Sequence, residues 1–419
     1  MILMSKVKDI KLAKDGKLKI EWAESRMPVL LSIQERFKKE KPLKNTRIGC
    51  CLHVTKETAV LMKTLKAGGA RVALCGSNPL STQDDIAAAL VKEGIDVFAW
   101  RGVNNKQYYW CVDKVLGNKP HITMDDGGDL VTRIHTKKKD LLKGIIAGTE
   151  ETTTGVIRFR AMERDGALKY PIIAVNDAQC KNMFDNYYGT GESALHAIIR
   201  ATNILIPGKN VVVSGYGHCG QGVATFAKGM GAHTIVTEVN PVNALRAYYD
   251  GHEVMTMEDA AKVGDIFITV TGCKHVIRKS HFSLMKPGAI LSNAGHFDVE
   301  IGVKGLKEIS KSVKKIKDCI EEITLKDGKK IFLLGEGRLV NLACAEGHPS
   351  EVMDNSFALQ ALSAEHIVEK KSDLETKVHS VPKEIDMTVA RLKLKSLGVK
   401  IDDLTKEQHT YLTGWKEGT

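Results

Sequence analysis

Three absences narrow the reading of this 419-residue chain before any motif is considered. No stretch approaches the length of apolar run that would cross a bilayer, which excludes a helical membrane span. The first twenty residues, Met1 to Ile20, alternate charges with short apolar pairs and hold no continuous hydrophobic region, so a secretory signal is not expected. Cysteine is present nine times, at 50, 51, 75, 111, 180, 219, 273, 319 and 344, but in odd number and without a single C-x-x-C pair. That pattern specifies neither a disulfide framework nor a zinc site, and buried thiols in a reducing cytoplasm are expected. Aromatic residues are scarce at 5%, and the densest basic run, Lys137-Lys138-Lys139, has none interleaved. The net charge of +11 therefore reads as a solvated basic surface that favours an anionic ligand, not as a nucleic-acid or membrane interface.

What is present is a repeated strand-and-helix rhythm. Short apolar runs at Ile48 to Leu52, Val72 to Cys75, Val97 to Trp100, Ile122 to Met124 and Ile145 to Ala147 alternate with helical stretches such as Thr58 to Lys66 and Thr82 to Lys92. Trp22 to Lys39 reads as one helix, from apolar residues at helical spacing. Such alternation predicts an α/β protein with a parallel, doubly wound sheet, whose ligands bind beyond the carboxyl ends of the strands. Polar groups follow the runs at that rim: His53, Thr55 and Glu57; Gln83 and Asp84; Asp125 to Asp129 with Asp126; and Glu150 to Thr154 with Glu151, Thr152 and Thr153. After a further run, Ile172 to Val175, come Asn176, Lys181, Asp185 and Asn186. Lys181 and Asp185 share a helix face, and a lysine lowered toward neutrality there can exchange protons with a hydroxyl. Tyr187 to Thr190 is a plausible hinge, followed by a long helix from Gly191 to Pro207.

A second strand-helix series starts with Val211 to Val213, which run into Gly215-Tyr-Gly217-His-Cys-Gly220. This is a G-x-G-x-x-G turn: one glycine for the turn, one for approach of the pyrophosphate, one for close packing. Thr234 to Thr237 ends at Glu238, which can accept from a ribose 2′-hydroxyl, so the cofactor expected is NAD and not NADP. Further runs at Ile266 to Val270, Ala289 to Leu291 and Ile331 to Leu334 complete a dinucleotide domain, with His296 beyond one strand end facing the nicotinamide. Asn341 to His348 and Asn355 to Phe357 read as the return to the first domain. The chain thus divides into a substrate domain (1–189), an NAD-binding Rossmann domain (190–346), a return to the substrate domain (347–380) and an amphipathic helical segment (381–419) that packs on a neighbouring domain or subunit.

The combination of His53-Val-Thr55-Lys-Glu57, Ser81-Thr-Gln83-Asp84, Asp125-Asp-Gly-Gly-Asp129, Glu150-Glu-Thr-Thr-Thr-Gly155, Phe184-Asp-Asn186, Gly215-Tyr-Gly217, Asn293-Ala-Gly-His-Phe-Asp298, Glu336-Gly-Arg-Leu-Val-Asn341 and Gly347-His-Pro-Ser350 closely resembles the S-adenosylhomocysteine hydrolases, over almost the whole chain. The resemblance implies two Rossmann-like domains, the NAD domain inserted in a split substrate domain, and assembly as a homotetramer. It implies a catalytic, resident NAD that oxidises the ribose 3′-hydroxyl, permits loss of homocysteine and addition of water, and restores the hydroxyl. Matching positions place Lys181 and Asp185 at the 2′ and 3′ hydroxyls, Glu151 and Asn176 around the ribose and the lysine, Asp126 as the base at C4′, His53 as the acid-base group near C5′, and His296 at the 3′ side. Thr55, Glu57 and Gln83 match positions around the adenine, with His348 and Phe357 closing over the ligand; Thr152, Thr153, Thr154, Asn186, Glu238, Asn243 and Asn341 match cofactor contacts.

Several departures bear on the details. Thr190 stands where many relatives have a cysteine, which would remove any tuning of the cofactor by a thiol. Glu346 replaces a commonly apolar residue beside the purine, and the stretch Gly414 to Thr419 lacks the longer Lys- and Tyr-bearing tail that reaches a neighbour's NAD site in many members. The rival readings are the same chemistry on the inosyl thioether, for which Glu346 could accept the N1 proton, a dehydrogenase with net turnover of NAD, and an NAD-binding regulatory module without catalysis. The last would keep Gly215 to Gly222 and lose rim residues, yet His53, Asp126, Lys181 and His296 are all retained.

Overall fold

The computed structural model describes residues 5–371 and 373–416. The N-terminal residues 1–4 and the closing residues 417–419 lie outside the described residues, and with them part of the tail discussed above.

Sixteen strands build two sheets among the described residues. The first seven are β1 (Lys6–Val7), β2 (Arg47–Cys51), β3 (Arg71–Cys75), β4 (Asp96–Ala99), β5 (Ile122–Asp125), β6 (Ala147–Glu150) and β7 (Ile172–Ala174). Next come β8 (Asn210–Ser214), β9 (His233–Thr237), β10 (Glu253–Val254), β11 (Ile266–Thr269), β12 (Ile290–Asn293), β13 (Ser310–Lys317), β14 (Ile320–Leu325) and β15 (Lys330–Leu334), and last β16 (Val378–Ser380). The first sheet runs β1-β4-β3-β2-β5-β6-β7-β16, parallel throughout. The second runs β10-β9-β8-β11-β12-β15-β14-β13 and is parallel except for β14. Both faces of each sheet are covered by helices over apolar clusters, as continuous buried strands such as Val211-Val212-Val213 require.

Strand order locates the crevices. In the first sheet the direction of winding reverses between β2 and β5, and in the second between β8 and β11. The loops carrying His53 and Asp126 leave the first switch point, and the glycine turn leaves the second.

Four sequence expectations are corrected here. The single helix over Trp22 to Lys39 is two, Ala13–Glu24 and Pro28–Glu40, because Pro28 opens the second and Met27 before it is non-helical. The strand expected at Ile145 to Ala147 lies at Ala147–Glu150, so Glu150 belongs to the strand and not to the rim after it. Its polar residues Thr149 and Glu150 are fully buried, which hid the strand from a reading based on apolar runs. The long helix of Gly191 to Pro207 is Thr190–Thr202, and it is entered without a break through a π-helix at Asn182–Gly189, so the proposed hinge at Tyr187 to Thr190 is regular structure.

The return helix Ser350–Lys370 crosses back onto the first sheet's core. Its buried Asp354 accepts from the N–H groups of Val29 (3.2 Å) and Leu30 (2.8 Å) and from Lys393 Nζ (2.9 Å). One carboxylate thereby joins the start of the helix Pro28–Glu40, the return helix and the helix Lys383–Ser396, satisfying two N-terminal N–H groups that have no partner within their own helix.

Candidate active site

The two crevices open on a common cavity, lined by polar and apolar side chains of both domains and open to solvent. His53, Thr55, Glu57, Asp126, Glu151 and Thr152 reach it from the first sheet's loops. Lys181, Asp185, Asn186 and Thr190 come from the π-helix and its junctions, and His296, Asn341, His348 and Phe357 from the second domain and the return. The wall also includes Thr153, Cys219 and Met353. Asn176 and Gln83 stand behind the wall instead of in it. Asn176 Oδ1 accepts from Asn186 Nδ2 at 3.2 Å and Thr153 Oγ1 at 3.3 Å, and Gln83 Nε2 reaches the carbonyl of Glu346 at 3.4 Å.

Asp126 lies between two imidazoles. Its Oδ2 is 3.3 Å from His53 Nε2 and its Oδ1 3.5 Å from His296 Nδ1, so residues 170 apart in sequence form one proton-exchange cluster. The ligand atoms of these three side chains lie within 4.8 Å of one another, a spacing that would also accommodate a metal ion. Serine hydroxyls at 81 (2.8 Å) and 77 (3.1 Å) hold His53 Nδ1. Burial lowers the His53 pKa to about 4 in spite of Asp126, so His53 is a neutral base at neutral pH and not the half-protonated group its ordinary value suggests.

The second cluster is organised by helix geometry. A π-helix places residues five apart above one another where an α-helix places four apart. At its entrance Lys181 Nζ meets both Asn186 Oδ1 (2.7 Å) and Asp185 Oδ2 (3.3 Å), with Glu151 Oε1 at 3.8 Å. The lysine expected to be lowered toward neutrality is instead held above its ordinary range: burial opposes its charge, but Asp185 and then Glu151 outweigh it. Asp185 is the ionised partner, held well down against burial by Lys181 and His348. Its carboxylate touches His348 Nδ1 and accepts from Ser356 Oγ at 2.7 Å. Glu151 is pushed up to about 8 by burial, and Gln360 Nε2 donates to its Oε2 at 2.6 Å. Ser356 and Gln360 belong to the return helix, and sequence reading missed both, since nothing in their spacing tells a ligand-site helix face from an ordinary buried one.

At the other end of the cavity, Thr55 caps the helix Lys56–Ala67 through Thr58 N, which turns Glu57 inward on its first turn. Ser350 Oγ donates to Glu57 Oε1 at 2.6 Å, and Lys56 Nζ lies 3.1 Å from the same oxygen. Glu346 does not line the cavity. Its carboxylate is drawn off by Arg200 Nη1 at 2.9 Å, which corrects its expected place beside the purine. The thiol deemed absent because of Thr190 is supplied from elsewhere: Thr190 Oγ1 donates to Cys219 Sγ at 3.5 Å, and Cys219, from the glycine turn, lines the cavity.

The residues fit a dinucleotide. Gly215 is left-handed (φ +101°), a Cβ on Gly220 would stand 2.0 Å from the Gly215 carbonyl oxygen, and a Cβ on Gly217 would meet no protein atom. The turn is therefore closed on the protein side and open where a phosphate would approach. Asn341 Nδ2 donates to Ser193 Oγ at 3.0 Å while its buried Oδ1 has no protein partner, an acceptor awaiting a donor such as a carboxamide. At the end of β9, Glu238 accepts from the N–H groups of Tyr216, Val239 and Asn240, which fixes it beside the turn. Asn243 lies one turn into the helix Pro241–Tyr249 that follows, its N–H bonded to Asn240 Oδ1. Thr154 is off the cavity wall, facing Gly272.

Two parallel-sheet domains, with a dinucleotide turn at one switch point and a cluster of titratable side chains at the other, both facing one cavity, define the class of dinucleotide-binding two-domain enzymes. Comparison with known proteins makes the class specific. The S-adenosyl-L-homocysteine hydrolase family model matches residues 4–147, and the model of that enzyme's NAD binding domain matches residues 186–347. The chain is 59% identical over 416 residues to the S-inosyl-L-homocysteine hydrolase of Methanocaldococcus jannaschii, covering 99% of this chain and 100% of the relative. It is 59% identical over 415 residues to the adenosylhomocysteinase of Saccharolobus solfataricus, covering 99% of each, and 58% identical over 414 residues to that of Aquifex aeolicus, again 99% of each. The chain belongs to the S-adenosyl-L-homocysteine hydrolase family; it is a thioether hydrolase of that family and carries its NAD-binding domain. Among the described residues no helix is long and apolar enough to cross a membrane.

Proposed function

We propose that the protein catalyses reversible hydrolysis of S-adenosylhomocysteine to adenosine and homocysteine. The observation that carries this choice is Glu57, a buried carboxylate on the cavity wall that can accept from a 6-amino group, while Glu346 is engaged by Arg200 outside the wall. NAD, when bound, supplies the acceptance and return of a hydride at the sugar.

The chain's own residues supply proton handling and position. Lys181 enters charged and lowers the pKa of a sugar hydroxyl brought against it, and Asp185, its ionised neighbour, orients the lysine and accepts the hydroxyl's hydrogen bond. Glu151 and Asn176 hold this pair in place. Asp126 removes the proton from C4′, and His53, neutral and 3.3 Å from Asp126, takes up and returns the proton needed at C5′. His296 completes the cluster from the cofactor side. Thr55 and Glu57 border the purine, with Gln83 behind the wall and His348 and Phe357 above the ligand; Thr152 to Thr154, Asn186, Glu238, Asn243 and Asn341 hold the cofactor.

One observation favours the inosyl thioether: Lys56 Nζ, 3.1 Å from Glu57 Oε1, engages part of the carboxylate that would accept from a 6-amino group. The enzyme is given each thioether separately, and products are identified by mass; a higher kcat/KM on the inosyl compound overturns the adenosyl assignment. All nine cysteines are free, which supports work in a reducing cytoplasm. Exposed Leu397, Ile401, Leu404 and Leu412 near the C-terminus support burial against a neighbouring subunit in a homotetramer, which light scattering tests.

A further inference from the structure

The carboxylates assigned to the chemistry, Asp126 and Glu151, each follow another buried acid. Asp125 ends β5 and Glu150 ends β6, and these two are paired in register on adjacent strands. Asp126 and Glu151 line the cavity, whereas Glu150 is fully buried and does not reach it. The Glu150 side chain is occupied elsewhere: its Oε1 accepts from Gly127 N at 2.7 Å and from Thr152 N at 3.0 Å. A single oxygen thus ties the peptide after Asp126 to the peptide after Glu151, and Glu151 N completes the tie by donating to the Asp125 carbonyl at 2.9 Å.

The surroundings make room for this tie. A Cβ on Gly155 would stand 2.1 Å from the Glu150 carboxyl carbon, so only glycine leaves space for the carboxyl group. On the far side of the Gly127 peptide, Arg158 donates to the Gly127 carbonyl and to Asp129 Oδ1. A Cβ on Gly127 would lie 2.2 Å from His296 Nε2, so the imidazole rests directly on this residue. Gly127 is thereby held at its N–H by Glu150, at its carbonyl by Arg158 and on its open face by His296. Neighbouring side chains depend on that peptide for their aim.

We propose that Glu150 is a positioning residue that staples the Asp126 loop to the Glu151 loop and so sets the spacing between the C4′ proton acceptor and the hydroxyl-exchange cluster. This rests on the roles given to Asp126 and Glu151 above. Burial, with Asp125 and Asp126 close by, holds Glu150 well above the usual carboxylate range. A neutral carboxyl accepts through its carbonyl oxygen, which the amide of glutamine reproduces and the thioether of methionine does not.

The test compares Glu150→Gln with Glu150→Met, using whichever thioether the wild type hydrolyses. Three quantities are read: kcat, KM, and the rate at which bound adenosine exchanges its C4′ hydrogen with D2O. Glu150→Gln is expected within about threefold of wild type, and Glu150→Met about a hundredfold lower in kcat and in C4′ exchange with KM little changed, the loss typical of a reacting group displaced by about 1 Å. Wild-type rates in Glu150→Met overturn the proposal, and so does a Glu150→Gln as impaired as Glu150→Met. Should Glu150→Met not fold, amide hydrogen exchange of the wild type decides. Protection at Gly127 and Thr152, both in loops, supports the staple, and exchange at free-loop rates overturns it. That measurement needs no substrate, so failure of the wild type to hydrolyse either thioether would count against the function proposed above and not against the staple.

Discussion

At the scale of single residues, burial in one cavity shifts Glu151 and His53 in opposite directions. Glu151 is held up to about 8 by burial, so between its unfolded value of 4.5 and about 8 the unfolded chain releases a proton that the folded chain keeps. Its contribution to stability therefore falls as pH rises through that window. Glu151→Gln removes the penalty, and its melting temperature is expected to exceed that of wild type at pH 8 and to converge on it below pH 4.5, while hydrolysis is lost. His53 has the opposite slope, since its folded value of about 4 lies below the ordinary 6.5 and stability is lost as pH falls through that interval. Scanning calorimetry at stepped pH separates the two. Gly127 gives a steric counterpart. It is left-handed at φ +99°, and the added methyl of Gly127→Ala would meet His296. The variant is expected to lose at least tenfold in kcat, with a destabilisation of about 1–3 kcal/mol from the backbone alone, read from denaturant midpoints.

At the scale of elements, the site depends on close approach between segments. A Cβ on Gly222 would stand 1.9 Å from the Tyr187 carbonyl oxygen, so the helix His218–Gly229 packs directly on the π-helix that aims Asp185 and Asn186. Gly222→Ala is expected to leave the glycine turn itself intact and still reduce the NAD retained through gel filtration, measured as NAD per chain; full retention would show that the contact is not needed. Asp354 is the stabilising counterpart. Asp354→Ala leaves two helix N–H groups and Lys393 without their shared acceptor, a loss of about 3 kcal/mol, with Asp354→Asn losing less. These elements also show what sequence can carry. His53 and Asp126 were legible because strand ends at a switch point follow from the order of apolar runs, and Gly215 because a turn against a phosphate demands glycine. The π-helix was not legible, since Asn182–Gly189 has no composition that distinguishes an i+5 ladder from an i+4 one. The hairpin β13–β14 escaped because β13, with Lys311, Lys314, Lys315 and Lys317, is an exposed edge strand lacking an apolar face. Ser356 and Gln360 escaped because their work is defined by Asp185 and Glu151, some 170 to 210 residues away.

At the scale of the whole molecule, the cavity is completed where the two domains meet, since His296 comes from one and Asp126, 3.5 Å away, from the other. Polar contacts also join the domains outside the cavity. Arg101, from the first domain, donates to the carbonyls of Ala343 at 2.6 Å and Leu342 at 3.5 Å, on the segment that carries Asn341, and also to the Leu80 carbonyl on its own side. Arg200 and Glu346, both of the dinucleotide domain, pair within the same stretch and brace it from its own side. Arg101 is exposed, so its replacement by alanine leaves no buried group unpaired in its own domain, and thermal stability is expected to change little. The segment bearing Asn341 loses its charge-assisted tether, and opening becomes easier by about 1 kcal/mol, which corresponds to roughly fivefold faster exchange of bound NAD. The check is release of labelled NAD into excess unlabelled cofactor, followed in wild type and in Arg101→Ala. An unchanged release rate would place the control of cofactor retention within the dinucleotide domain, at Glu238 and the glycine turn, and remove Arg101 from it.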